Sequence, residues 1–393
     1  MPFTGKATYS AGATLPEIAE DVSDIIGIVS PYETPLLDHL GDPRRVATST
    51  VHEWLEDSLN PNTDAIASDH SFSDADVDTS FAVDHAGRFR VGDLARAEGS
   101  AEVMLVTAID TGAGTIEVVR GYGGTTAEDL AAGDVLHLLG NAALEGDDRP
   151  ASRHTTRARR TNYTQIFTAG VEVSGTELAV SQIGVADELD YQKTERLREL
   201  VRDLENCVIN GRAAATNPEG NADTRRTMKG IVGFLASNRF VSGSGFPAGD
   251  TIDSTDGYLS EEQINTALRR IWNQSSGKVD TIVCNGFQKR RINGFITSGR
   301  SYDAAETRYR DLVSLYESDF GVCRVVLSRW VPADTVLLLD SSRIDVLPLS
   351  GRSFHYKPLA SAGDREVGQV IGEYTVELRN ENAHGLIRGL ATG

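Results

Sequence analysis

The chain has 393 residues, of which 40% are hydrophobic and 24% charged, a balance typical of soluble proteins that bury a core. At roughly 100 to 200 residues per domain, this length predicts two to four domains and excludes a small disulfide-stapled scaffold. The net charge of −19 disfavours nucleic-acid binding across the whole surface, because such binding neutralises phosphates with Lys and Arg.

Membrane, secretion and metal signals are weak. No apolar run reaches the roughly 18 residues that a spanning helix needs, and the N-terminal stretch lacks the charged-then-apolar layout of a signal peptide. We therefore expect no membrane contact and a protein kept in a cytoplasm-like compartment. The three cysteines have no CxxC spacing, which predicts neither a disulfide framework nor a zinc site. Cys207 and Cys284 lie in apolar patterns that favour buried thiols with raised pKa values over nucleophiles.

The first 86 residues hold about two-thirds of the net charge, with 16 acidic residues against three basic ones. Prolines at positions 31, 35, 43 and 61 interrupt any long helix, and only residues 17–29 have helical apolar spacing. This pattern predicts an extended arm. An extended segment punctuated by apolar residues indicates contact with another chain.

Residues 88–140 have a different pattern of short strand-like runs separated by turns. The runs are RFRVGDLA, AEVMLVTAID, GTIEVVRG and DVLHLLG. They predict a small inserted β-barrel-like module. The glycine-rich segment 121–126 lacks the spacing of a phosphate-binding loop and is interpreted as a turn.

Two oppositely charged segments flank this module. The acidic segment carries Asp69, Asp74, Asp76, Asp78 and Asp84, and the basic segment carries Arg153, Arg157, Arg159 and Arg160. The basic segment alone would fit a nucleic-acid patch. We favour a hairpin whose two limbs carry opposite charges, because such charges stabilise each other across strands within one subunit or between neighbours.

The rest of the chain mixes helices and strands, which predicts an α+β fold. Residues 187–210 form the longest helical pattern, with Gly211 as its C′ residue. Ser260 and Gln263 predict a capping box that opens a second helix, and FQKRRINGFITSG predicts a third, ended by Gly299. The runs DTIVCN, VCRVVLS, TVLLLD and IDVLPL predict strands, and residues 366–390 predict a half-buried strand pair.

Catalytic motifs are incomplete. The segment 51–56 begins like HExxH but has Glu56 at the second metal-ligand position, and the segment 351–355 begins like GxSxG but ends in His355. The eight histidines show no HxH or HxxxH pairing. We therefore predict no catalytic residues, no cofactor and no metal site. A cytoplasmic hydrolase assembled from scattered Asp, His and Ser residues is the remote alternative.

Several local motifs together resemble one family. DVSDIIGIVSPYETPLLDHLG followed by STVHEWLEDSLN, then RFRVGD, VVRGYGGTTA, TNYTQIFTAGVEVSGTELAV and RNENAHGLIRGL, occur in the order seen in tailed-phage major capsid proteins. The resemblance implies the Hong Kong 97 phage-type capsid fold. The expected parts are an N-terminal arm (1–45), an extended loop (46–86 and 147–165), an inserted β domain (87–146), a peripheral domain with a spine helix (166–216 and 350–393) and an axial domain (217–349).

The resemblance also implies a function. We expect a subunit that self-assembles into hexamers and pentamers of an icosahedral shell around double-stranded DNA, which it holds without sequence-specific binding. Scaffolding, portal and cement proteins are further candidate partners, and the location is the virion, after assembly in the host cytoplasm. Another virion component, from the tail or the decoration, and an encapsulin-like shell protein are the alternatives.

One feature departs from part of that family. Some capsids of this fold are cross-linked through a lysine in the extended loop, but no lysine occurs between Lys6 and Lys193 here. We therefore expect a shell held without covalent cross-links from this loop, with the nine charged residues of the two flanking segments contributing contacts between subunits.

Overall fold

The computed structural model describes residues 33–43, 45–146, 155, 157–180, 187–241, 257–297, 315–360 and 363–393. The chain divides into two compact units. The insertion unit is Leu55–Ala158, and the main unit comprises the chain before and after it, Met1–Trp54 and Arg159–Gly393. The helical pattern at 17–29, the helix end at Gly299 and Arg153 lie outside the described residues.

The described residues form six α-helices and eighteen strands. The helices are α1 (Pro35–Leu40), α2 (Gly175–Ala179), α3 (Glu188–Asn210), α4 (Ile231–Phe234), α5 (Glu261–Gln274) and α6 (Gly286–Thr297). The strands are β1 (Val51–Glu56), β2 (Thr63–Ala65), β3 (Ser80–Ala82), β4 (Asp93–Ala97), β5 (Met104–Asp110), β6 (Thr115–Val119), β7 (Val135–Asn141), β8 (Ala158–Tyr163), β9 (Gln165–Ser174), β10 (Arg239–Val241), β11 (Thr281–Cys284), β12 (Leu315–Ser318), β13 (Gly321–Leu327), β14 (Val336–Leu339), β15 (Ile344–Pro348), β16 (His355–Pro358), β17 (Arg365–Leu378) and β18 (Gly385–Arg388).

The long helix α3 forms where its apolar spacing predicts. Asp187 caps it, since its carboxylate accepts a hydrogen bond from the backbone N–H of Asp190 at 3.1 Å. Gly211 follows the helix but has φ −52°, so it is not the left-handed cap expected from the sequence. A side chain there would instead collide with the carbonyl oxygens of Cys207 and Met228. The glycine is therefore required by close packing.

A four-stranded sheet lies beside α3 in the main unit. Its central strand β17 pairs antiparallel with β9 on one side and with β15 and β16 on the other. The sheet and α3 share one hydrophobic core through Phe167, Val171, Leu200, Leu204 and Val376. This core also holds the start of the described chain, since Leu36 on α1 belongs to it.

A six-stranded sheet completes the main unit, in the order β10-β18-β14-β11-β13-β12. Helices α5 and α6 cover one face, where Ile264, Leu268 and Ile292 join a second core with Ile282 and Val325. The capping box of Ser260 and Gln263 at the start of α5 is confirmed. The predicted pairing within residues 366–390 is wrong. β17 and β18 belong to different sheets, because β17 pairs with β9, β15 and β16, whereas β18 pairs with β10 and β14.

The insertion unit contains a six-stranded antiparallel sheet in the order β2-β7-β4-β5-β6-β3. Its core includes Ile66, Phe81, Met104, Ile116 and Leu136. The sheet begins before residue 87, because β2 and β3 pair with β7 and β6 and bury Ile66 and Phe81. Strands β1 and β8 form a separate two-stranded sheet.

Candidate assembly surfaces

The chain just before β1 is fixed to the main unit by a cluster of charges on β15 and β17. Asp345 and Glu377 stand directly opposite each other on these strands, a position where two like charges repel. Arg45 bridges them, at 2.7 Å from Asp345 and 2.9 Å from Glu377. Arg379 approaches the same two carboxylates at 3.2 and 3.5 Å. The two arginines convert a repulsive pair into a network that holds the chain at residue 45.

His52 on β1 adds a second link to the same carboxylate. Its Nε2 lies 2.7 Å from Oε2 of Glu377, whose side chain is almost fully buried. Burial alone raises the pKa of Glu377, but the hydrogen bonds from His52 and Arg45 outweigh it and lower the pKa to about 2. His52 therefore has a structural partner, which agrees with rejecting it as a zinc ligand. We call residues 45, 52, 345, 377 and 379 the loop-root cluster.

The end of β8 and the residue that follows it are fixed by a second set of buried polar contacts. The amide of Asn162 donates to the carbonyl oxygens of Lys229 and Val376 at 3.0 and 2.7 Å. Thr164 donates to Glu373 at 2.6 Å, and Arg226 and Arg352 pair with the same carboxylate. The roots of β1 and β8 are thus both held on β17, at Glu377 and Glu373.

The strands themselves present charged side chains to solvent. Arg159 lies 3.5 Å from Glu53 within the main unit, and both side chains are largely exposed. Arg157 lies 4.0 Å from Asp57 within the insertion unit, and Thr155 donates to Asp57 at 2.8 Å. Arg160 is exposed. Burial lowers the pKa of Lys229, and the positive charge of Arg160 lowers it further. Arg157 and Arg159 of the basic segment thus pair with Asp57 and Glu53.

The acidic segment lies within the insertion unit. Asp69, Asp74, Asp76 and Asp84 are exposed, and Asp78 is half-buried. Asp78 accepts hydrogen bonds from the backbone N–H groups of Ser73 and Asp74 at 2.6 and 3.2 Å, so it closes a turn. The side-chain hydrogen bond and negative charge of Asp76 raise the pKa of Asp74. Among the described residues, no ion pair joins this segment to the basic one, because its carboxylates are used within turns or face solvent.

A buried ion pair holds this acidic turn in place. Arg120 forms a bidentate ion pair with Glu102 at 2.7 and 2.8 Å and donates to the carbonyl oxygens of Ala75 and Asp78. Glu102 also accepts from the backbone N–H groups of Gly121 and Glu128. The glycine-rich segment is thus a turn, as predicted. The sequence did not indicate Glu102 as the buried acceptor for the backbone N–H of Gly121.

An apolar surface lies beside α5 in the main unit. Trp272 is 64% exposed, whereas the other large apolar residues of α5 are buried, and its ring lies 6.0 Å from that of Phe320. These residues, with Lys278 and Val279, line a cavity of about 310 Å³. An exposed tryptophan at a cavity is the kind of side chain that anchors protein contacts.

Burial shifts the pKa values of the three cysteines and of His384. Burial raises the pKa of Cys284 to about 12 and that of Cys323 to about 11, so both are thiols at neutral pH, and burial raises the pKa of Cys207 as well. Burial also lowers the pKa of His384 to about 4. Within the described ranges, no group of three His, Cys, Asp or Glu residues is placed to hold a metal ion, and no helix is long and apolar enough to cross a membrane.

Comparison with known proteins identifies the family. The family model described as SU10 major capsid protein matches residues 3–391, nearly the whole chain. The chain belongs to the SU10 major capsid protein family. A major capsid protein from Escherichia phage Phieco32 is 22% identical over 298 residues, which cover 65% of this chain and 81% of that relative.

Solved structures agree on the fold. A structure titled capsid of the native GTA particle aligns with a TM-score of 0.51 at 11% identity, over 99% of this chain and 100% of that one. The cyanophage A-1(L) capsid aligns with a TM-score of 0.50 at 12% identity, over 95% and 97%. The Hong Kong 97 phage-type fold is confirmed. This major capsid protein is therefore a structural subunit that self-assembles into the icosahedral shell of a phage head.

Proposed function

We propose that this major capsid protein forms hexamers and pentamers that enclose double-stranded DNA, and that it has no catalytic activity of its own. Assembly takes place in the host cytoplasm with the help of scaffolding and portal proteins, and a cement protein is a further candidate partner. The use of buried carboxylates as acceptors for arginines, as at Glu373 and Glu377, supports a purely architectural role.

The division into parts follows the packing. We assign residues 1–45 to the arm, α3 and the β17 sheet to the peripheral domain, and the six-stranded sheet with α5 and α6 to the axial domain. Because β15 pairs with β17, we assign residues 344–348 to the peripheral domain. Because β18 pairs with β10 and β14, we assign residues 385–388 to the axial domain. The inserted domain begins near Thr63 for the same reason.

The charges on β1 and β8 provide the contacts between subunits that we propose. Glu53, Arg159 and Arg160 lie on strands whose roots are held by buried networks, while their own side chains are exposed. A fixed backbone with exposed charged side chains suits recognition of a neighbour, because little backbone ordering is lost on binding. This observation carries the proposal, and we propose that Asp57, Arg157 and the acidic segment of the insertion unit also contact a neighbouring subunit.

Charge reversal tests this role of the loop. The double variant Arg157→Glu, Arg159→Glu should give fewer complete shells than the wild type in negative-stain images and size-exclusion chromatography, and wild-type shells should dissociate as salt rises. Arg365→Glu is the matched control, since Arg365 forms an exposed ion pair with Glu172 on other strands. Shells of the double variant that match the wild type at every salt concentration would contradict the proposal.

The net charge bears on the cargo. We propose that the packaged DNA is held without sequence-specific contacts, since a chain with a net charge of −19 repels phosphates overall and leaves the genome mobile.

A further inference from the structure

A buried carboxylate on α3 holds the start of the described chain. Glu205 is 0% exposed, whereas the other buried residues of this helix are apolar. Its Oε2 accepts hydrogen bonds from the backbone N–H groups of Leu36 and Leu37, at 3.2 and 3.3 Å. Its Oε1 accepts from the hydroxyl of Ser328 at 3.1 Å. One side chain thus connects the spine helix to residues that lie about 170 positions earlier.

Glu205 forms no ion pair among the described residues. On α1, Asp38 is close enough to repel it, and His39 contacts Thr281 at 2.8 Å. After β13, Arg329 pairs with Glu33 at 2.5 Å. Arg329 is therefore engaged elsewhere, and the carboxylate has three neutral donors as its described partners.

This arrangement favours the neutral acid. An uncompensated buried carboxylate is costly, and the hydrogen bonds from Leu37, Ser328 and Leu36 offset only part of the cost, so burial raises the pKa of Glu205 to about 7. The neutral acid can keep every contact, because one oxygen still accepts from Leu36 and Leu37 while the other donates to Ser328. When the proton leaves, the charge is best relieved by water, which reaches it only if α1 moves away.

The segment over Glu205 has an apolar anchor of its own. Leu36 is fully buried in the main core, and the indole N–H of Trp330 donates to the carbonyl oxygen of Glu33 at 3.2 Å. Release of α1 therefore needs a driving force, and ionisation of a buried carboxylate beneath it supplies one.

We infer that Glu205 is a positioning residue for the arm: the neutral acid holds residues 33–40 on the subunit, and the carboxylate favours their release toward a neighbouring copy. The neighbour rests on the proposed function, in which the arm contacts another subunit. The hold on residues 33–40 is a property of the single chain and can be tested without assembly.

Hydrogen exchange of the full-length, unassembled subunit tests this inference. The amides of Leu36 and Leu37 should be protected at pH 6 and should lose protection by about tenfold for each pH unit above 7, after correction for intrinsic exchange, since the charged fraction grows in that proportion. Glu205→Gln, which keeps an acceptor and a donor, should keep these amides protected across the range. Glu199→Gln, an exposed residue of the same helix paired with Arg196, should behave as the wild type does.

A second variant guards against misfolding of the first. Ser328→Ala removes a donor that favours the charged form, so the pH of release should rise. Protection that does not change with pH in the wild type, or that falls equally in Glu205→Gln, would overturn the inference even if shells form. Failure of the wild type to form any large particle when it is expressed together with its scaffolding and portal proteins would instead contradict the proposed function and leave the exchange result standing.

Discussion

Two buried carboxylates, Glu205 beneath residues 33–40 and Glu377 in the loop-root cluster, have opposite pKa shifts. Glu205 and Glu377 are 0% and 1% exposed. Glu377 has Arg45, His52 and Arg379 beside it and a pKa of about 2, whereas Glu205 has backbone and hydroxyl donors and a pKa of about 7. Burial therefore does not decide the protonation state of a carboxylate; its partners do. Glu377 in the loop-root cluster is therefore charged at neutral pH, whereas Glu205 changes its charge near neutral pH.

The largest effect is expected from removing the charge at the loop root. Glu377→Gln leaves Arg45 and Arg379 facing Asp345 alone and should lower the free energy of unfolding by about 3 kcal/mol, because the buried Glu377 loses its charge-assisted hydrogen bonds with Arg45 and His52. Urea unfolding of the unassembled subunit at pH 7 measures it. Asp345→Asn is the control, because Asp345 is more exposed and shares the same arginines, and it should cost less than about 1 kcal/mol. Equal losses would contradict this prediction, because they would mean that the exposed Asp345 matters as much as the buried Glu377.

The next effect depends on pH and has opposite signs at the two sites. The raised pKa of Glu205 means that the folded state binds its proton more tightly, so stability is greatest below the unfolded pKa and falls as pH rises from about 4.5 to about 7. Glu205→Gln should remove that fall and be more stable than the wild type at pH 8, by about 2 kcal/mol. Thermal unfolding at pH 5 and pH 8 measures the difference. A variant that is less stable at both pH values would mean that Gln cannot replace the acid at this position.

Acid unfolding gives the mirror image. The lowered pKa of Glu377 contributes stability above about pH 4.5, and that stability is lost as pH falls toward 2. The wild type should therefore lose stability more steeply than Glu377→Gln over this range. Parallel acid titrations of the two proteins, followed by circular dichroism, test the point. Superimposable curves would place the acid-sensitive carboxylate elsewhere.

The sequence predicts elements better than partners. The boundaries of α3 and the capping box of α5 follow from local spacing and cap residues, and both are confirmed. The strands β2 and β3 are three residues long and are defined by pairing with β7 and β6, tens of residues away, so the sequence placed the inserted domain too late. The partners of Glu53 and Asp57, which are Arg159 and Arg157, are likewise distant along the chain.

Glu205 shows what local spacing can and cannot reveal. A glutamate in a charged helix is usually solvated, and nothing in the sequence indicates Leu36, Leu37 and Ser328 as its partners. One signal was available, since Val201, Glu205 and Ile209 are spaced by four and so lie along one row of the helix. A charged residue in an apolar row is a site at which to expect a buried acceptor. On β17, Glu373 and Glu377 are also buried, but Gln369 and Thr375 lie on the same face of the strand, so spacing alone does not reveal them.

The smallest effect on the fold is expected on the exposed strands, where the effect on assembly should be greatest. Arg159→Ala breaks a 3.5 Å pair with Glu53 whose partners are both largely exposed, so the free energy of unfolding should change by less than about 1 kcal/mol. If this surface binds a neighbour, shell formation should fall far more than stability does. Unfolding and assembly yield measured on one preparation separate the two. A variant that loses both in proportion would mean that Arg159 supports the fold of the loop root and not a contact between subunits.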